Sequence, residues 1–435
     1  MVELESWGRR RQSAVTIAGE GLAVLARRAN LARGLGRAYG DANLPAAPSD
    51  VVLTTGAADR ILDFAPEQRR VTAEAGISLE ELNRILWPAG LSVPVSPGTK
   101  FVTLGGMIAA DVHGKNHHLA GTIGRHVARL ELVAPDGATH RLSPEEDAEL
   151  FWATVGGMGL TGVILSAELE LEAIPTPWVR CEISRHATLE ELGAALVEAG
   201  RRWPLTAAWL DAANPGTWGR GVVLAGRWAE PHEAPDRPPA EGLRVPVPLD
   251  APSWLLTDLA AGLFDRLYWR RAPRRPTVRT LHPDAFFYPL DAVLGWNRLY
   301  GRRGFAQYQC VIPASHGIAG VRRVLDALRE SGGRSYLVVL KDFGAAGPGL
   351  LSFPQPGFTL ALDLPADPRL VQVARRLDQE VLRLGGRLYL AKDGLLDAET
   401  FRAMEGQRLE PFLEVRRRVD PHRIIRSALA QRLQL

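Results

Sequence analysis

The stretch HGKNHH (113–118) puts three histidines and a lysine into six positions, directly after the glycine-spaced run TLGGMIAAD. His113 and His117 stand four apart and would share one face of a helix, a spacing at which two imidazoles can hold a metal. A metal needs a third ligand in ordered geometry, and Gly114 argues against the helix that would align the pair. No metal is therefore expected. The segment reads better as an acid/base cluster or as the wall of a cofactor pocket, with His117 and His118 structural.

Four glycine-bearing stretches allow close backbone approach: ARGLGRAYGD (32–41), SPGTKFVTLGGMIAADVHG (96–114), AGTIGRH (120–126) and VGGMGLTG (155–162). A backbone free of Cβ atoms can bring its N–H groups against a diphosphate or a flat ring. Several such loops within 130 residues imply one large ligand. It is not a mononucleotide in a phosphate loop, since GxxxxGK[ST] is absent. Nor does GLGRAYG fit the dinucleotide fingerprint, because Gly34, Gly36 and Gly40 are spaced GxGxxxG and lead into DANLP rather than a helix.

The elements that must position these loops are α+β. RVTAEAG (70–76) suits a strand, and SLEELNRILWPAG opens a helix with Ser78 as N-cap, Glu81 closing a capping box and Ile77 with Leu82 as staple. Pro88 and Gly90 stop it. ARLELVAPDGATHRL is a hairpin turned at Pro135-Asp136-Gly137, and SPEEDAELFWATVG predicts a helix with Ser143 as cap and Glu146 closing the box. VILSAELELEAI alternates as a strand does. There is no steady βαβ rhythm, so a doubly wound sheet is excluded.

With 435 residues the chain exceeds one hydrophobic core, so two domains are expected. Composition shifts at about 175 and again at 227–250, where six prolines predict an extended loop. The segment 254–275 then mixes Leu, Phe, Trp and Tyr with Arg270, Arg271, Arg274 and Arg275, which could touch an anionic membrane or a lipid phosphate. Strands are predicted in FAQYQCVIP, SYLVVLKDFG, FTLALDLP and RLYLAKDG, and a helix over 317–331. A net charge of +3 does not point to nucleic acid, and two cysteines, Cys181 and Cys310, exclude a disulfide framework. The first residues lack an apolar signal region and no run is long enough to span a bilayer, so a cytoplasmic or peripheral location is expected.

The order of ARGLGRAYGD, PGTKFVTLGGMIAADVHGKNHH, ELFWATVGGMGLTG and RLYLAKD resembles the vanillyl-alcohol-oxidase superfamily of FAD enzymes. WNRLYG (296–301), FAQYQCVIP (305–313), LSFPQPGF (351–358) and VRRRVDP strengthen the likeness. Within that superfamily the chain is similar to the oxidases that serve the 2′-epimerisation of polyprenylphosphoryl-ribose. The likeness runs from Trp7 to the C-terminus and is thin over about 175–280. It implies a two-part PCMH-type FAD-binding domain (1–175 and 387–435) with an inserted α+β substrate (cap) domain (176–386) on an antiparallel sheet.

The resemblance also implies a site. Arg33, Gly34, Leu35, Gly36, Arg37, Ala38 and Tyr39 would wrap the FAD diphosphate, joined by Pro97, Gly98, Thr99, Thr103, Gly105, Gly106, Ala109, Asn116, Gly121, Gly159, Val163 and Tyr389. Ala38 stands where several relatives carry a histidine bonded to the flavin, so FAD is expected to be non-covalent. Lys392 and His113 match catalytic positions. Tyr39, Trp209, Phe287, Arg298, Gln307, Gln309, Lys341, Thr359 and Ala361 would form the substrate pocket, with Lys341 and Arg298 on a phosphate. Gln307 and Gln309 alternate on a strand and so face one side, as a sugar-binding pair should. Relatives acting on the mycobacterial substrate carry asparagine, cysteine and tyrosine in place of Thr359, Ala361 and Phe287, which leaves the exact sugar open.

The implied reaction is oxidation of the 2′-hydroxyl of a lipid-linked ribose to a ketone, with a separate NAD(P)H-dependent short-chain reductase as partner. Free alkoxide at neutral pH would cost roughly 12 kcal/mol, so the hydroxyl proton must leave with assistance. A desolvated Lys392 could take that proton as base or remain cationic and stabilise developing charge. The alternatives are a soluble sugar, alditol or aldonolactone oxidase, and a flavin-binding scaffold subunit without turnover.

Overall fold

The computed structural model describes residues 1–212, 218–240, 242–252 and 258–435. Local signals over 70–90 act as expected: Arg70–Glu74 is a strand and Leu79–Leu86 a helix. Ser78 Oγ accepts from the Glu81 amide at 3.1 Å while the Glu81 carboxylate accepts from Ser78 N at 3.3 Å, so two otherwise orphaned donors are satisfied. Gly90 ends the following turn at φ 69°, a left-handed conformation that favours glycine.

The helix expected from Ser143 begins one turn later. Asp147, at φ 49°, caps Ala148–Thr154 by accepting from Leu150 N at 3.4 Å. Ser143 accepts instead from the amides of Glu145 and Glu146 and closes a turn of its own. Two acceptors compete for one helix start, and Asp147 stands nearer to Leu150 and Phe151, which must be buried.

Two sheets make the N-terminal part. Val2–Glu5, Arg11–Ala18, Val51–Thr54 and Leu31–Arg33 form the first, with parallel pairing on both sides of Val51–Thr54. Ile61–Ala65, Arg70–Glu74, Val163–Glu170, Val127–Val133 and Thr139–Leu142 form an antiparallel second. The chain's end returns here. Arg432 forks onto Asp41 at 2.7 and 2.8 Å, Arg426 meets Asp50 at 2.6 Å, and Asn30 donates to Ile424 O.

The third sheet is antiparallel with eight strands, in the order Thr277–Leu281, Val179–His186, Gly221–Trp228, Leu205–Leu210, Val338–Phe343, Gly357–Pro365, Phe305–Pro313 and Arg387–Leu388. Only Arg387–Leu388 of RLYLAKDG is strand, and it pairs with Phe305–Pro313. The helices Leu189–Arg202, Gly317–Glu330 and Leu370–Arg383 bury apolar stripes against one face of this sheet. On that face Gly320 would set a Cβ 2.6 Å from Ile312, and Tyr308 donates to Asp378 at 2.9 Å.

The opposite face is the polar one. Register aligns Gln307 with Asp363, Gln309 with Ala361, Val339 and Trp209, and Val311 with Thr359 and Lys341. Residues directly opposite each other project from the same side, so these strands gather one row of side chains. Among its described residues the proline-rich stretch carries the end of the strand Gly221–Trp228, a 3₁₀ turn at Pro231–Glu233 and the two-residue strand Val245–Pro246. Of the basic aromatic segment, Trp254–Thr257 lie outside the described residues and Asp258–Arg271 is a helix, with Leu263 and Leu267 exposed. Among the described residues no helix is long and apolar enough to cross a membrane.

Candidate active site

Lys392 lies just beyond the edge strand Arg387–Leu388, which brings it against Phe305–Pro313. Its Nζ donates to Gln307 Oε1 and sits 3.7 Å from the centre of the Tyr39 ring. Gln307 Nε2 donates in turn to Asp363 Oδ1 at 2.6 Å, and Tyr300 donates to Asp363 Oδ2 at 3.0 Å. A small open recess lies beside Gln307, Gln309 and Lys392.

His113 is not helical; it forms an isolated antiparallel bridge with Thr122, and the short helix His117–Ala120 begins after it. Thr359 Oγ1 donates to Cys310 O at 2.9 Å, so it must accept from Gln309 Nε2 at 3.1 Å. The second amide hydrogen of Gln309 then faces His113 Nε2 at 3.0 Å, which must accept. Nδ1 therefore carries the proton, is buried and has no hydrogen-bond partner among the described residues, leaving one donor for a ligand. Phe343, Phe353 and Tyr389 pack round the imidazole at 4.8, 5.6 and 5.0 Å, and Tyr389 donates to Ala110 O. His117 Nδ1 accepts from Gly344 N, and the His113 and His117 rings stand 6.4 Å apart.

Lys341 repels two other buried lysines, Lys392 at this recess and Lys115 at a neighbouring one. Burial lowers Lys115 to about 7 and Lys341 to about 8, with Lys341 adding repulsion at Lys115. Lys392 is lowered by burial and by Lys341, against the attraction of Asp363. Burial raises Asp363, opposed by its hydrogen bonds from Gln307 and Tyr300 and by Lys392. His113 is held well below the usual imidazole range by burial and by Lys341, His117 and Lys392, so it is neutral at physiological pH. Among the described residues Lys341 has no hydrogen-bond or ion-pair partner. It is a desolvated cation open to an anion.

The glycine loops make a cradle that fits FAD. The loop at 33–39 is pinned by Arg33, which donates to Glu5 O and Asn43 O, and by Arg37, whose guanidinium stacks 4.0 Å over Trp7 with its buried Nε unpartnered. A Cβ on Gly34 would stand 2.2 Å from Thr103 Oγ1, so the first loop and the Thr103-capped helix Leu104–Ala109 touch. Gly105 packs that helix on Ala75, while Ala109 O accepts from Met158 N, drawing in the loop that holds Gly159. Nothing stands within 4 Å of a Cβ built at Gly98 or Gly159, and Leu35 and Gly106 are exposed. These are open walls. Phe101 N donates to Thr99 Oγ1 between Pro97 and Lys100, Asn116 Nδ2 donates to Pro94 O, Gly121 turns at φ 71°, and Val163 is buried with Leu53 and Val133.

Some expected residues lie elsewhere. The Arg298 guanidinium donates to Val247 O and Pro248 O and sits 3.4 Å from Asp250, so it holds the loop at 247–250 rather than reaching Lys392 or Lys341. Phe287, with Lys115 and Asn116, borders a separate small recess, and its carbonyl accepts from Lys115 Nζ at 3.1 Å. Trp209, by contrast, keeps its place in the row with Gln309 and packs on Tyr268 at 4.7 Å, its buried indole N–H without a partner among the described residues. Asp363 and Tyr300 were missed. The alternation that puts Thr359 and Ala361 on one face also includes Asp363, a signal available in FTLALDLP.

A family model for an FAD binding domain matches residues 21–143. Decaprenylphosphoryl-beta-D-ribose oxidase of Mycolicibacterium smegmatis is 38% identical over 417 residues, covering 93% of this chain and 89% of that protein. L-gulonolactone oxidase of Mus musculus is 33% identical over 131 residues, 28% of this chain and 29% of that one. L-galactono-1,4-lactone dehydrogenase of Arabidopsis thaliana is 31% identical over 134 residues, 31% of this chain and 21% of that one.

Proposed function

The chain belongs to the decaprenylphosphoryl-β-D-ribose oxidase family of FAD-linked oxidoreductases, and from that premise we propose that it oxidises the 2′-hydroxyl of a polyprenylphosphoryl-β-D-ribose to the 2′-ketone. The observation that carries this reading is the polar row of Gln307, Gln309 and Lys341 on one sheet face, closed at its edge by Lys392. FAD, when bound, supplies the two-electron acceptor for the C2′–H bond. Lys392 takes the hydroxyl proton, the glutamines orient the sugar, and Lys341, lacking a counter-charge, receives the phosphodiester. Aromatic rings around His113 exclude water from the reacting carbon. The ketone is the first half of epimerisation to the arabinose for cell-wall polysaccharide, completed by an NAD(P)H-dependent short-chain reductase. Exposed Leu263 and Leu267 beside Arg270 and Arg271 would let the cap domain touch the membrane that carries such a substrate.

Anaerobic mixing of the yellow protein with farnesylphosphoryl-ribose should bleach the flavin, and free pentoses or alditols should not. Bleaching by the free sugars alone would move the protein to the soluble oxidases. With Ala38 at the linkage position, FAD is held without a covalent bond, so acid precipitation should leave the flavin in the supernatant. Flavin retained in the pellet would overturn that assignment.

A further inference from the structure

We propose that Asp363 is a positioning residue that acts through the Gln307 amide to set the place and the charge of Lys392. This rests on the reading that Lys392 works at the flavin. The argument is one of hydrogen-bond polarity. Asp363 is 1% exposed, and its two oxygens accept from Gln307 Nε2 and Tyr300 OH at 2.6 and 3.0 Å. The ionised carboxylate can only accept, so the amide must turn its NH₂ toward Asp363. Gln307 Oε1 is then left facing Lys392 Nζ, the donor it meets. The reversed amide would set oxygen against carboxylate and NH₂ against the amine, repulsive at both ends. One buried carboxylate thus selects a single orientation of Gln307, and that orientation selects the rotamer of Lys392.

The same chain carries charge information. Facing Lys392 are Asp363 and Lys341 from the neighbouring strands, the Tyr39 ring from the first glycine loop and the neutral His113; Asp393, next in the chain, is taken up by Arg432 at 2.9 Å. Tyr300 and Tyr39 flank the carboxylate. Asp363 is the one negative group of this set not held by an arginine, so it is the group that opposes the loss of the Lys392 proton.

Competitive acetylation of Lys392 in the holoenzyme, followed against pH by mass spectrometry, reads its protonation without turnover. Asp363→Asn should retain FAD and move the labelling midpoint down by one pH unit or more, a tenfold or greater gain in the neutral form at a fixed lower pH. Gln307→Leu should also lower the midpoint, and the double variant should shift it by less than the sum of the two, because part of the Asp363 effect passes through the Gln307 amide. An unchanged midpoint in Asp363→Asn, or fully additive shifts, would overturn the proposal. If Asp363→Asn does not fold, Gln307→Leu, which keeps the carboxylate, carries the test: a midpoint that stays put sinks the idea. Failure of every ribosyl phosphodiester to bleach the flavin would sink the substrate reading and leave this midpoint shift standing.

Discussion

Lys392→Ala is expected to keep its FAD and to lose flavin bleaching by farnesylphosphoryl-ribose by roughly 10³-fold, within the range a positioned acid or base contributes. Retention follows because Lys392 contacts Gln307 and the Tyr39 ring rather than the open walls at Gly98 and Gly159. The pH profile separates the two roles of the amine. Burial and Lys341 bring Lys392 down to about 7, so it is cationic below that pH and neutral above it. A base must be neutral to accept the hydroxyl proton, and the bleaching rate should therefore rise through about pH 7 and level off above. His113 does not contribute this limb, because it is already neutral across the range. A rate that falls through the same interval would assign Lys392 the role of a fixed cation, and a normal rate in the alanine variant would remove it from the mechanism.

Gly40→Ala is expected to cost about 3 kcal/mol of stability and most of the bound flavin. A Cβ there would lie 1.5 Å from Asp393 O and 2.9 Å from Gly394 N, both backbone atoms that no rotamer change can move. Tyr39 N donates to Ala391 O at 3.0 Å, so the first glycine loop and the Lys392 segment are stitched main chain to main chain at this point. Forcing them apart separates the proposed cofactor loop from the proposed catalytic lysine. Gly98→Ala is the contrast. Its added methyl meets nothing within 4 Å, so the urea midpoint should hold while FAD binds more weakly. Equal losses of stability in both variants would show that Gly98 is a turn residue and not part of the cradle.

The sequence by itself determined the local elements, the α+β class and the chemistry available. The capping box at Ser78 and Glu81, the turn at Gly137 and the alternation of Gln307 with Gln309 depend on residues within a few positions of one another. Such interactions can be read off a string. Where two signals of that kind overlapped, at Ser143 and Asp147, burial of Leu150 and Phe151 chose between them. Arg298 shows the same limit, because its guanidinium is equally able to bind a phosphate or the carbonyls of Val247 and Pro248. Tertiary structure alone decided the partners. His113 meets Gln309 across 196 positions and Lys392 meets Gln307 across 85. Strand register sets these pairs, and register is fixed by burying the helix-covered apolar face, since a slip of one residue would turn the polar row inward. That is why Asp363, one more step along the same alternation as Thr359 and Ala361, acquires meaning only when the sheet sets it opposite Gln307.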